Sequence, residues 1–302
     1  MIAAVRLGRR RTLRSDATSG SMVAVRSEDP QPTADAARWR RPFRERAIDA
    51  SRRYLPRGAR DWIVGMRRRF RLQWPAVGTV RFGSFRRVTP ISPVFALDRG
   101  FPIERYYIER FLDQHRADIK GRALEFGNTF YLDKFGGNAV TRKDVFSYVP
   151  APGVTMIGDL AGAEPLPEGL FDCIVCTQTI QMIYEVRPAL RRLRAMLKPG
   201  GVLLLTSHGI SKVGRYLDRD GWSEYWHITR QAAHSLFDEI FAGDDVGIRG
   251  YGNVLAAMCA LHGLASEELR PEELDHSDRD FDVIIGVRAV RATDGGRTEP
   301  RS

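Results

Sequence analysis

The densest run of apolar positions lies between residues 171 and 206. Phe171–Cys176 (FDCIVC) is short and nearly continuous in apolar residues, the pattern of a strand covered on both faces. A basic segment with helical spacing follows, and Lys198-Pro199-Gly200-Gly201 stops it. Val202–Thr206 then reads as a second buried strand. Strand, helix, Pro-Gly-Gly turn, strand is one right-handed crossover of a parallel sheet.

The same logic extends along the chain. Residues 102–118 predict a helix with Pro102 in its first turn and an apolar face of Ile103, Tyr107, Ile108, Phe111 and Leu112. Strands are expected at Arg122–Phe126, Asp144–Tyr148 and Val154–Asp159, and later at Val246–Tyr251 and Phe281–Val290. A helix is expected at 229–241, and a helix or long apolar turn over Asn253–His262. Strands at short intervals separated by helices or turns imply an α/β, doubly wound, mostly parallel sheet. This body spans residues 82–292, and 293–302 read as a polar, disordered tail.

The N-terminal part follows a different pattern. Residues 1–38 are rich in Arg, Ser, Thr, Asp and Pro, with little apolar periodicity, and are expected to be disordered. Residues 39–81 form an Arg-rich, partly helical extension. Trp39, Phe43, Ala47, Ile48, Tyr54 and Leu55 recur at roughly helical spacing, between Pro42 and Pro56. Trp62, Ile63, Met66, Phe70 and Trp74 repeat the theme over 61–74, beside Arg67, Arg68, Arg69 and Arg71. Basic amphipathic helices of this kind lie on anionic membranes, or pack on the body or on a protein partner. Residues 39–74 are therefore the candidate for peripheral membrane or protein contact.

Charge sharpens the division. Residues 1–80 hold 19 Arg and 7 acids, a net of +12, and the remainder nets −2, so the whole-chain +10 belongs to the N-terminal segment. A nearly neutral body argues against a nucleic-acid partner. Cys173, Cys176 and Cys259 make no disulfide framework, and the C-x-x-C pair has no second pair or nearby His to complete a metal site. Buried thiols in a reduced, cytoplasmic protein are the expectation, with membrane association through 39–74 the variant. No His shows metal spacing, so no metal is expected. No apolar run suffices to span a bilayer, and the chain's start lacks the apolar stretch of a secretory signal.

In an open parallel sheet a ligand sits beyond the carboxyl ends of the strands. The first body strand ends Leu124-Glu125-Phe126-Gly127-Asn128-Thr129. Gly127 lets the backbone approach a ligand closely, and Glu125 can receive hydrogen bonds or fix the loop. Neither a G-x-G-x-x-G opening a helix, as a dinucleotide-dependent oxidoreductase needs, nor a placed Asp-x-Asp, as a glycosyltransferase needs, is present.

Glu-x-Gly, Asp-Leu (Asp159-Leu160), Phe-Asp-x-Ile and Lys-Pro-Gly-Gly occur in this order between residues 125 and 201. That succession resembles the class I S-adenosylmethionine (SAM) dependent methyltransferases, over roughly 100–292. It looks like the type 11 group, and more narrowly like bacterial methyltransferase-domain proteins found near glycosyltransferase and polysaccharide genes. LDRGFPIERYYIERFL, FGG at 135–137, TQTIQMIYEVRPAL and YGNVLAAMCALHGLASEEL carry the narrower likeness.

The resemblance implies a Rossmann-like sheet of seven strands and SAM as cofactor. It implies that Glu125, Phe126, Gly127 and Asn128 border the cofactor. Thr129 and Tyr131 stand where further glycines are usual. An acid on the ribose is implied at the second strand's end. Asp144 supplies it if that strand is short and ends there; otherwise Asp144 is a solvated turn residue. Asp159 and Leu160 would flank the adenine, with a helix-capping Asp as the alternative. Thr177 and Gln178 would pass beneath the methionine portion, although Gln178 could instead satisfy buried backbone groups. Tyr106 or Tyr107 would close over the cofactor, with core packing the alternative for Tyr107.

The resemblance does not identify the acceptor; the expectation is a small molecule or glycan precursor, methylated at oxygen. His208 and Tyr225 are the candidate catalytic residues. Trp222, Tyr225 and Trp226 are candidates to stack on a sugar or aromatic ring, or to anchor a hydrophobic lid. A noncatalytic methyltransferase-like scaffold is the alternative function.

Overall fold

The computed structural model describes the backbone of residues 26–27 and residues 53–70, 72–73, 75–214 and 223–293. The helix expected over 39–55 lies almost wholly outside the described residues, as do Trp74, Trp222 and the tail from 294. Helix α1 (Arg57–Arg69) begins after Pro56, earlier than the pattern over 61–74 suggests. None of its residues is buried.

The body is one sheet with helices on both faces. Its strands are β1 (Arg26–Ser27), β2 (Gly121–Phe126), β3 (Val140–Ser147), β4 (Met156–Ile157), β5 (Phe171–Thr177), β6 (Leu197–His208), β7 (Asp245–Tyr251) and β8 (Ile284–Val290). The spatial order is β1-β7-β8-β6-β5-β2-β3-β4. Only β8 runs antiparallel, against β6 and β7. From β2 the chain proceeds outward to β3 and β4, then crosses back to β5 and on to β6. That reversal is the topological switch point where ligands enter such sheets. Seven strands form the Rossmann-like sheet, and Arg26–Ser27 adds a two-residue edge strand beside Gly247 and Ile248.

The helices are α2 (Ile103–Gln114), α3 (Val186–Met196), α4 (Arg230–Ile240), α5 (Val254–His262) and α6 (Pro271–Asp275). Leu190, Leu193 and Phe237 of α3 and α4 pack with Ile174, Leu203 and Leu205 on one sheet face. Tyr107, Phe111 and Ala256 of α2 and α5 pack with Val175, Leu204 and Ile284 on the other. Cys176 belongs to the first cluster and Cys173 to the second. Three residues apart on a strand, they point to opposite faces. All three cysteines are free and buried, as expected.

The residues that make the crossover legible brace the sheet's amino end. Asp172 accepts the Arg122 backbone N–H at 2.8 Å and the Lys198 ammonium at 2.8 Å, joining β5, β2 and β6. Burial alone would raise its pKa, but these donors outweigh burial and hold it below the usual range. Lys198–Gly201 does not precede the strand, as expected, but forms an irregularity within it. Leu197 pairs with Phe171 and the next registered pair is Val202 with Cys173. A Cβ at Gly201 would lie 2.7 Å from the Phe171 carbonyl oxygen, so only glycine fits there.

Two connections depart from a full doubly wound fold. No α-helix joins β2 to β3; a single π turn (Leu132–Gly136) and a 3-10 turn (Gly137–Ala139) do. None joins β4 to β5 either.

Candidate functional site

The first strand end is built around Glu125. Its side chain is buried, and its carboxylate accepts the N–H groups of Tyr131 at 3.0 Å and Leu132 at 2.9 Å. It thus holds the loop after β2 rather than projecting from it. Burial pushes its pKa up to about 7 against the pull of those two N–H donors. Phe126 is half-buried, packed on Phe146. Gly127 has φ +81°, and a Cβ there would meet nothing within 4 Å. The backbone therefore faces open space in a conformation that glycine adopts freely. Asn128 accepts the Phe130 N–H at 2.8 Å, and Thr129 donates to Asp133 at 2.7 Å, so both side chains shape the loop. Tyr131 is buried, stacked on Phe135.

The shorter version of the second strand is overturned. β3 continues to Ser147, with Asp144 in its middle, buried and paired with Arg122 at 2.7 Å. Leu124 and Asp144 are neighbours in register, so Arg122 on β2 reaches across to Asp144 on the same sheet face. Asp144 is therefore neither a strand-end acid nor a solvated turn residue. The strand end carries Ser147, Tyr148 and Val149 instead.

Asp159 lies in the loop after β4, exposed, its carboxylate accepting the Ala161 N–H at 2.8 Å. Leu160 is buried in the core with Phe146 and Phe171. At the end of β5, Thr177 is half-buried and its carbonyl accepts the Thr179 hydroxyl at 3.0 Å. Gln178 has φ +50°, a strained conformation for a residue with a Cβ. Its amide donates to Thr206 Oγ1 at 3.2 Å and accepts from Gln181 Nε2 at 2.8 Å. The helix tyrosines are engaged with the C-terminal segment: Tyr107 donates to the Leu274 carbonyl at 2.9 Å, and Tyr106 to Asp275 at 2.7 Å.

His208 ends β6 and is buried. Its Nδ1 lies 2.9 Å from Glu224 Oε1, and His227 Nε2 lies 3.4 Å from Glu224 Oε2. Gly214 N–H fixes Oε2 at 2.8 Å. Burial would raise the Glu224 pKa, but His208, the Gly214 N–H and His227 outweigh it and hold the group at about 2. Close by, burial raises Glu104, a carboxyl 3.4 Å from Ser211 Oγ and electrostatically coupled to His208.

Sequence spacing gave no hint of this cluster, because Glu224 and His227 reach His208 only through the folding back of segment 223–228. The Ile228 N–H bonds the His208 carbonyl at 2.8 Å, and the Tyr225 and Trp226 N–H groups bond the Gln181 carbonyl at 2.8 and 3.2 Å. Fully buried Gln181, a residue the sequence pattern does not single out, thus anchors that segment beside the Gln178 turn. Tyr225 is exposed. Its ring sits 5.5 Å from Tyr184, which stacks on Trp226 at 5.8 Å, so the three form one exposed aromatic surface.

Residues 96–240 match the model of a family described as a methyltransferase domain. No curated protein matches the chain. Among solved structures, an S-adenosylmethionine dependent methyltransferase from Mesorhizobium loti is similar at 16% identity and TM-score 0.43, covering 63% of this chain and 98% of that one. A putative methyltransferase from Bacillus halodurans is similar at 13% identity and TM-score 0.39, covering 62% and 99%. A SAM dependent methyltransferase from Archaeoglobus fulgidus is similar at 10% identity and TM-score 0.40, covering 62% and 94%.

Proposed function

We propose that this chain, whose residues 96–240 match a methyltransferase-domain family, is a class I SAM-dependent methyltransferase that methylates an oxygen of a small-molecule or glycan-related acceptor. The observation that carries this reading is the open backbone at Gly127 beside the strained Gln178 turn, at the sheet's switch point. Bound there, SAM supplies an electrophilic methyl on a sulfonium, so the protein's task is alignment. Gly127 and Asn128 would border the methionine portion, and Asp159 the adenine. Thr177 and Gln178 would lie under the transferable methyl. Glu125 would keep the loop in place, and Asp144, in mid-strand and paired with Arg122, would take no part in binding. Methyl transfer to a hydroxyl forms an O–C bond and breaks the S–C bond. The sulfur keeps the electron pair, and the hydroxyl proton would pass to solvent water.

The acceptor side would be the β6 end. Tyr184, Tyr225 and Trp226 offer rings on which the C–H face of a sugar packs, and the His208–Glu224–His227 cluster would receive the reacting oxygen. Full-length protein should bind SAM and S-adenosylhomocysteine at micromolar concentration in a calorimetric titration. It should then add a methyl group to members of a panel of glycans and lipid-linked sugars, read by mass. A folded sample that binds neither would overturn the reading in favour of a noncatalytic scaffold.

We also propose that α1 docks on an anionic membrane surface. It carries five Arg against one Asp and buries none of its residues, while Trp62 and neighbouring Phe70 are exposed. No helix among the described residues is long and apolar enough to cross a membrane.

A further inference from the structure

His208 poses a problem that hydrogen bonding within the protein does not solve. Its side chain is only 9% exposed, and Nδ1 lies 2.9 Å from Glu224 Oε1. That is ion-pair distance, yet Nδ1 makes no aligned hydrogen bond among the described residues. A buried polar nitrogen left this way is costly. If Nδ1 is unprotonated, its lone pair faces a carboxylate oxygen, which is repulsive. A second imidazole, on His227, approaches the other oxygen of the same carboxylate at 3.4 Å. Ligand atoms of all three side chains lie within 4.8 Å of one another.

We propose that His208, Glu224 and His227 bind a first-row divalent cation of the zinc type. In a tetrahedral zinc site the ligands stand about 2.0–2.2 Å from the metal, so neighbouring donors lie about 3.3 Å apart. His208 Nδ1 lies 2.9 Å from one Glu224 oxygen and His227 Nε2 3.4 Å from the other, on either side of that value, and one donor from each of the three residues lies within 4.8 Å of the other two. Two imidazoles and one carboxylate suit a borderline cation, and three protein ligands leave a fourth position open. The carboxylate is held from behind by the Gly214 N–H at 2.8 Å, the kind of outer support that fixes a ligand's orientation. His227 is the more exposed of the two rings, so the open position is accessible from its side.

The use of the site rests on the methyl-transfer reading. A cation there would lower the pKa of a bound hydroxyl, which would give its proton to solvent water and attack the methyl as an alkoxide-like oxygen. That need is specific to oxygen acceptors, whose protons are held tightly at neutral pH. The site itself is independent of SAM.

The test is titration of full-length, chelator-treated protein with Zn2+ by calorimetry, and with Co2+ by visible absorption. One ion per chain is expected, with the intense Co2+ bands of low coordination number. His227→Ala removes a partly exposed ring and should leave the thermal unfolding curve unchanged while weakening Zn2+ binding at least tenfold. His208→Asn and Glu224→Gln should weaken it likewise. Absence of binding by the wild-type chain overturns the proposal. So does His227→Ala that retains full affinity, which places the ion elsewhere. Protein that binds Zn2+ but not SAM upholds this site and sinks the methyl-transfer reading; the reverse sinks this site alone.

Discussion

Glu125 Oε2 accepts the backbone N–H of Leu132 at 2.9 Å, and both its oxygens lie 3.0 Å from the Tyr131 N–H. One buried carboxylate thereby ties the end of β2 to the start of the π turn that replaces a connecting helix. The loop shaped by this tie includes Gly127, so its integrity matters to any ligand at the switch point.

The protonation of Glu125 should be visible in stability. Burial raises its pKa in the folded protein to about 7, from the 4.5 of a free glutamate. Below 4.5 the group is protonated in both states and its contribution is fully present. As pH rises, the unfolded chain releases the proton first, so stability falls until the folded group also titrates near 7. The loss is about 3 kcal/mol, at about 1.4 kcal/mol per pH unit. Glu125→Gln should flatten this part of the profile, measured by urea unfolding at pH 5 and pH 8. Parallel profiles for the two proteins would refute the assignment.

Asp144 separates two roles cleanly. Its ion pair with Arg122 is buried on the carboxylate side and lies in mid-strand. Asp144→Asn should cost about 3 kcal/mol, since it leaves the Arg122 charge poorly compensated. SAM affinity should change less than twofold. A large loss of affinity with intact stability would instead place Asp144 at the ribose, contrary to the strand geometry.

The elements were legible where burial writes a pattern. β5 and β6 are covered on both faces, and their continuous apolar runs locate them to within a few residues. The apolar face of α2 is equally plain. Asp144 was misleading because an acid before Val145 and Phe146 looks like a strand boundary, while its partner Arg122 lies on another strand. The π turn at Leu132–Gly136 has no periodic signature, being a single turn. The His208–Glu224–His227 cluster and the anchoring Gln181 depend on how segment 223–228 folds back, which is long-range information. The left-handed turn at Gln178 is likewise invisible, since nothing in Thr-Gln-Thr demands it.

Docking of α1 should depend on both charge and aromatic contact. Full-length protein is expected to co-sediment with vesicles rich in phosphatidylserine and not with neutral phosphatidylcholine vesicles. Replacing Arg67, Arg68 and Arg69 with Gln should remove about 1 kcal/mol per charge near the surface, and the loss should shrink at high salt. Trp62→Ala should weaken binding at every salt concentration, because it removes buried apolar area rather than charge. Undiminished binding by both variants would remove α1 from the contact.

Gly127 offers the sharpest test of the ligand position, because strain and obstruction can be separated. At φ +81° any residue with a Cβ is strained, so Gly127→Ala should lower stability by about 1–2 kcal/mol. A Cβ there meets nothing within 4 Å, so alanine adds little bulk to the open space. Gly127→Trp carries the same backbone cost and adds a large ring to the space the backbone faces. The two variants should therefore unfold at similar denaturant concentrations, whereas only the Trp variant should lose SAM binding altogether, with alanine costing less than tenfold. Equal affinities in folded Ala and Trp variants would show that SAM does not lie against this loop, and the proposed cofactor placement would fall with them.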